Sequence, residues 1–165
     1  MGALSALLFS RVQAASFYRR LHREAVQLLP PGAGKTWLDV GCGPGLVARL
    51  AAEHGYRVTG IDIDPAMVRR ATLEARRHAC TASFETASPA QLAERASQAE
   101  VISAASLLAV IEDRAAAVRL LLQGVARDGT LLLIEPSPRM TAQAAADLRS
   151  RSELGRGAWV LGLWA

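Results

Sequence analysis

The stretch TWLDVGCGPGLVARLAAEHGYRVTGIDID, residues 36–64, decides the fold. It runs from a short apolar segment into Gly41, Gly43 and Gly45, through a helical pattern starting at Leu46, to Gly55 and a second apolar segment that ends in Asp62 and Asp64. Gly55 suits the left-handed position just past a helix. An apolar run, a glycine-rich turn, a helix and a second apolar run make a strand–helix–strand unit, with strands predicted at Thr36–Val40 and over YRVTGID. Glycines at the turn let the backbone approach a ligand closely.

Outward from this unit the alternation continues. Asp64 and Pro65 read as N-cap and first residue of a helix reaching about His78. TASFETA is a weaker third strand, followed by a short helix after Pro89; AEVISAAS is a fourth strand. A helix follows over about Glu112–Ala126, and DGTLLLIEP is a turn and a fifth, fully buried strand. Before the unit, residues 3–28 read as helix in two pieces, stopped by Pro30-Pro31-Gly32; beyond it, Thr141–Arg151 reads as helix and GRGAWVLGLWA as an apolar tail. Continuous apolar strands alternating with helices predict an α/β fold, a doubly wound, mostly parallel sheet covered on both faces. The 165 residues divide into an N-terminal helical cap (1–31), an α/β core (32–136) and a C-terminal helix and tail (137–165) of the same domain.

Composition narrows the function classes. Eighteen arginines accompany the single Lys35, but they are dispersed along the chain rather than gathered in an aromatic-interleaved stripe, so nucleic acid is not an expected partner. Cys42 and Cys80 lack metal or redox spacing and read as free thiols. No basic segment precedes the opening apolar stretch, and no run reaches the roughly 20 apolar residues of a membrane span. The expectation is a cytoplasmic protein without a transmembrane segment.

In an open parallel sheet, ligands bind beyond the carboxyl ends of the strands at the switch in winding direction. The glycine loop occupies that place, and the next helix is expected to point unsatisfied N–H groups at a ligand. Asp62, at the tip of the second strand, can accept both hydroxyl protons of a ribose. Together these imply an adenosine-type ligand. The spacing is G-x-G-x-G with Leu46 next, not the G-x-G-x-x-G of dinucleotide sites. Asp39, inside the first strand, would repel a diphosphate and favour an ammonium or sulfonium.

LDVGCGPG with VTGIDIDPAMV resembles motif I and the segment after it in class I S-adenosylmethionine-dependent methyltransferases of the small-molecule branch, and the likeness extends over about residues 35–136. It implies a Rossmann-like methyltransferase fold with core strand order 3-2-1-4-5, S-adenosylmethionine as cofactor and methyl transfer to a small-molecule acceptor. Asp39 and the backbone of Gly41, Cys42, Gly43 and Gly45 would shape the methionine pocket, Asp62 would hold the ribose, and Ile63 and Met67 would pack near the adenine. Ser103 to Ser106 would line the methyl-transfer side. Where many relatives end the third strand in an adenine-binding acid, this chain offers Ala87 and Ser88. Where relatives often carry histidine after the fourth strand, it has Ala109 and Val110, leaving Tyr18 and, after it, His22 on the N-terminal helix as catalytic candidates.

The family's sheet normally ends in a sixth and an antiparallel seventh strand, which residues after Pro136 are too few to supply with their helix. A fragment, a natural short form and completion by a partner all fit that shortfall. The fifth strand would then be an apolar edge, open to a homodimer unless Trp159, Val160, Leu161, Leu163 and Trp164 cover it. The first helix, rich in Leu and Phe, and this tail suggest an apolar acceptor or a membrane-surface contact. A shortened, non-catalytic binding or scaffold domain is the alternative.

Overall fold

The computed structural model describes residues 3–88, 91, 98–137, 143 and 147. In chain order they form α1 (Ala3–Gln13), α2 (Ser16–Gln27), β1 (Thr36–Val40), α3 (Leu46–Glu53), β2 (Arg57–Asp62), α4 (Pro65–Arg77), β3 (Ser83–Thr86), β4 (Ala99–Ala105), α5 (Arg114–Gln123) and β5 (Val125–Ile134). The five strands make one sheet in the order β3-β2-β1-β4-β5, every pairing parallel. The direction of winding reverses at β1, so the loop after it opens at the switch point.

Burial on both faces explains the apolar strands. Trp37, Val58 and Val101 pack on one face against Leu46, Val47 and Leu50 of α3, with Val26 of α2 behind them. Val40, Ile61, Ile102 and Ala104 face the other way and meet Leu121 of α5. Asp64 caps α4 by accepting the Ala66 N–H at 2.8 Å, with Pro65 at the first helical position. The N-terminal helices separate at Ala14–Ala15, and α1 lies on α4 through Ala6, Phe9, Ala66 and Met67.

Two boundaries differ from the sequence reading. The helix predicted to Ala126 stops at Gln123, and β5 begins at Val125. That strand is irregular: Val125 pairs with Ala99, Thr130 pairs with Val101, and the residues between bulge out with Asp128 at φ 64°. Nor is β5 fully buried. None of its residues is sealed and Leu133 is 38% exposed, because only β4 flanks it among the described residues. The helix after Pro89, the helix at Thr141–Arg151 and the apolar tail lie outside the described residues, apart from single positions. No helix among the described residues is long and apolar enough to cross a membrane.

Candidate functional site

The turn after β1 is built from left-handed glycines: Gly41, Gly43 and Gly45 have φ of 66°, 50° and 78°. It is tied to β2 by Cys42 N–H donating to the Ile61 carbonyl (2.9 Å) and by Gly43 N–H donating to Asp62 Oδ2 (2.9 Å). Asp62 Oδ1 accepts the Asp64 N–H at 2.9 Å. Each carboxylate oxygen offers about two acceptor positions, so one on each remains for a ligand.

The three glycines do different work. A Cβ at Gly45 would lie 2.7 Å from the Phe84 ring and 3.0 Å from Ala71, so this glycine serves packing and lies outside the cavity lining. A Cβ at Gly41 would press on Leu107 at 2.8 Å, whereas at Gly43 the nearest atom is Gln13 Nε2 at 3.8 Å. Gly45→Ala is therefore expected to cost about 2–5 kcal/mol of stability, from left-handed strain plus overpacking. Gly43→Ala should cost about 1–2 kcal/mol, the strain alone. Urea denaturation of both variants checks the order; equal losses would contradict this division of roles.

Above the turn lies a cavity of about 210 Å³. Asp39, Gly41, Cys42, Gly43 and Asp62 line it, together with Ile63 and Met67 and with Tyr18 and His22 of α2. Ile63 is 72% exposed and Met67 is buried. Cys42 is a thiol, because burial and the charges of Asp39 and Asp62 push its pKa up.

Asp39 lines the cavity but is almost fully buried. Its Oδ1 accepts the Ser103 hydroxyl at 2.7 Å, its Oδ2 accepts the Ala48 N–H at 3.2 Å, and Ser103 Oγ in turn accepts Trp37 Nε1–H at 2.7 Å. Burial raises the Asp39 pKa to about 7 against these two hydrogen bonds. Two placements differ from expectation. Ser103 is fully buried behind Asp39 and does not line the cavity; Ser106 does. Ser88 is outside the lining too, its backbone N–H and hydroxyl both turned to Gln91 Oε1, while Ala87 faces in. The start of α3 also departs from the sequence reading: Leu46 N–H goes to Gln13 Oε1 (3.2 Å) and Ala48 N–H to Asp39, so the protein itself satisfies part of the helix terminus.

Tyr18 and His22 stack with ring centroids 4.1 Å apart. Burial raises the Tyr18 pKa, with Ser106 pulling it down and the charge of Glu135 pushing it further up. His22 is buried and its Nδ1 lies 2.8 Å from the Tyr18 carbonyl. A carbonyl only accepts, so the ring proton sits on Nδ1 and Nε2 carries the lone pair. Burial lowers the His22 pKa, which keeps the ring neutral. Outside the cavity, arginines are less dispersed than the sequence suggests. Arg11, Arg19, Arg49, Arg70 and Arg77 surround a second concavity between α1, α3 and α4, where Glu74 pairs with Arg70 at 2.6 Å and Arg77 at 3.2 Å.

The family model described as a methyltransferase domain matches residues 13–160. The chain belongs to that family, the class I S-adenosylmethionine-dependent methyltransferases of the small-molecule type. It is 35% identical over 126 residues to a nocamycin O-methyltransferase of Saccharothrix syringae, covering 74% of this chain and 45% of that protein. It is 34% identical over 88 residues to a ubiquinone biosynthesis O-methyltransferase of Pseudomonas paraeruginosa, covering 53% of this chain and 38% of that protein. The chain thus spans less than half the length of either relative. In fold it resembles the magnesium protoporphyrin IX methyltransferase of Synechocystis PCC 6803, crystallised with bound S-adenosylhomocysteine, at a TM-score of 0.63 and 21% identity over 81% of this chain and 63% of that one.

Proposed function

We propose that the chain binds S-adenosylmethionine in the cavity after β1 and positions a small-molecule acceptor for in-line displacement of its methyl group. The observation that carries this is Asp62, held at the strand end by two backbone N–H groups with an acceptor position left on each oxygen. A ribose diol fits that pair. A Cβ at Gly43 would meet only the flexible end of Gln13, at 3.8 Å, so a ligand can come against the backbone there, and Ile63 and Met67 offer an apolar seat for an adenine.

In this reading Asp39 places negative charge below the methionine end, oriented by Ser103 and Ala48. Gly41, Cys42 and Gly43 supply the backbone wall; Gly45 fixes the turn against Phe84. Ser103 acts only through Asp39, and no cofactor contact is assigned to Ser88. The cofactor supplies a methyl carbon already activated on a sulfonium. The protein's contribution is then to hold donor and acceptor at about 3 Å and exclude water, which alone supplies much of the acceleration. The helical cap, residues 1–31, closes the cavity over the acceptor through Tyr18 and His22.

Calorimetric titration tests the reading. S-adenosylhomocysteine is expected to bind and NAD not to; tighter binding of NAD would overturn the assignment. Binding without methyl transfer to any member of a broad acceptor panel would favour a non-catalytic binding domain.

A further inference from the structure

The second concavity, of about 310 Å³, is lined by none of the residues assigned above to the cofactor. Its size falls at the lower end of the roughly 300–1,000 Å³ of small-molecule pockets. Four helices supply its guanidinium groups: Arg11 from α1, Arg19 from α2, Arg49 from α3, Arg70 and Arg77 from α4. Two carboxylates share the lining, Glu53 and Glu74. Five cations against two anions, with His78 counted as neutral, leave three positive charges in excess; the whole chain has a net charge of +4. Most of the net charge is therefore gathered at one depression, which focuses its field on a counter-ion.

The carboxylates do not cancel it. Glu74 Oε1 accepts from Arg70 Nη2 at 2.6 Å, from Arg77 Nη1 at 3.2 Å and from the Ser10 hydroxyl at 3.3 Å, while Ser10 Oγ accepts Arg70 Nε–H at 3.0 Å. One carboxylate thus orders two guanidinium groups, and the trio keeps a positive charge. Glu53 pairs at 3.2 Å with Arg23, which is outside the lining. Arg11, Arg19 and Arg49 have no carboxylate within 4.0 Å among the described residues.

Arg49 makes the deficit costly. It is only 9% exposed, and its Nη1 donates to the Pro44 carbonyl at 2.7 Å, while Nε and Nη2 have no hydrogen-bond partner among the described residues. Its charge interacts with Arg19, Glu53 and Glu74, which line the same concavity. Burial lowers its pKa, and Arg19 also lowers it, against Glu74 and Glu53. A guanidinium stays protonated in proteins, so burial without a counter-charge is a penalty rather than a route to neutrality.

We propose that this concavity binds the phosphate group of a phosphorylated small molecule, with Arg11, Arg19 and Arg49 donating to its oxygens. A phosphate monoester carries about −1.5 to −2 charge at neutral pH and three strong acceptor oxygens, so it can be approached from several helices at once. A carboxylate would offset one of the three excess charges. Guanidinium forks match phosphate oxygens bidentately, which a lysine could not do. A nucleic-acid backbone needs a basic path along a surface, whereas these arginines surround a single depression. The Arg70–Glu74–Arg77 group, tied by Ser10, forms the fixed side of the site. The inference goes beyond the S-adenosylmethionine reading and does not depend on it.

Calorimetric titration of the full chain with inorganic pyrophosphate tests it, at about 0.15 M salt, where exposed charges are screened beyond about 8 Å. Saturable binding is expected. Arg11→Gln and Arg19→Gln, at exposed positions, should each weaken it about tenfold, the loss of one charged hydrogen bond. Arg20→Gln removes the same charge from α2 outside the lining and should change nothing. Absence of saturable binding overturns the proposal. So does an equal loss in Arg20→Gln, which would show attraction to net charge alone. S-adenosylhomocysteine at saturation should leave pyrophosphate affinity unchanged; competition between the two would put the anion in the cavity after β1 and overturn the assignment. Vesicles of phosphatidylglycerol, set against phosphatidylcholine, separate a lipid headgroup from a small molecule. Vesicle binding lost in Arg19→Gln, without pyrophosphate binding, would give the arginines to a membrane and overturn the small-molecule site. Failure of S-adenosylhomocysteine to bind would sink the cofactor reading and leave the pyrophosphate result standing.

Discussion

Asp62→Ala is expected to weaken S-adenosylhomocysteine binding about 30-fold, or about 2 kcal/mol. Two losses add up. The ribose hydroxyls lose a charged acceptor, and hydrogen bonds to charged groups contribute about 1.5–3 kcal/mol each before water replaces part of them. In addition, Gly43 and Asp64 lose the oxygens that hold their N–H groups at 2.9 Å, so the turn is no longer pinned to β2 before the ligand arrives. Asp62→Asn separates the two. Its one carbonyl oxygen still serves one backbone N–H, but its amide nitrogen faces the other donor, so its loss should fall between those of the wild type and Asp62→Ala. Calorimetry reads the affinity, and thermal denaturation shows that the variants remain folded. Unchanged affinity in folded Asp62→Ala would mean that the ribose does not sit at the end of β2.

The difference between what was legible and what was not follows the range of the interactions. Strand β1 was readable to its ends because Trp37, Leu38 and Val40 are apolar on both faces and Gly41 breaks the run. The start of α4 was readable because an Asx cap and a proline act within two residues. The glycine loop and Asp62 were legible as a pair, since consecutive parallel strands must end on the same side of the sheet. Contacts of long sequence separation left no such trace. Nothing local announces that Gln13 caps α3 across 33 positions, or that Ser103 turns inward to Asp39 across 64. A serine at the end of a strand reads as cavity lining unless the indole beside it is known to need an acceptor. The exposure of β5 was hidden for another reason: an apolar edge strand and a central one share a sequence pattern, and only their neighbours distinguish them. Periodicity puts Tyr18 and His22 on one face of α2, but only the fold shows the imidazole anchored through Nδ1 on the Tyr18 carbonyl.

A large loss of stability is expected from Ser103→Ala, about 4 kcal/mol, because it strands two buried groups at about 1–3 kcal/mol each. Trp37 Nε1–H loses its only acceptor among the described residues, and Asp39 Oδ1 loses its donor, with Trp37 and Asp39 each 1% exposed. The deficit should depend on pH, and its sign follows from Asp39. Its folded pKa is about 7 against an ordinary 3.8, so between these values the folded protein keeps a proton that the unfolded chain has released. Stability from this group is therefore present at low pH and falls as pH rises through that window, by at most about 4 kcal/mol. Without the Ser103 hydroxyl the ionised form loses a stabilising partner, so the folded pKa moves higher and Ser103→Ala should be weaker at pH 8 than at pH 5. Asp39→Asn cannot ionise and should flatten the decline, even though its amide leaves the Ala48 N–H poorly matched. The pKa of His22 is depressed, so it acts in the opposite sense as pH falls below the ordinary histidine range. Subtracting the Asp39→Asn curve removes that contribution, since His22 is common to both. Urea denaturation from pH 4 to 8 measures all three proteins, and a wild-type curve parallel to that of Asp39→Asn would show that Asp39 is ionised in the fold at low pH and that burial does not govern its charge.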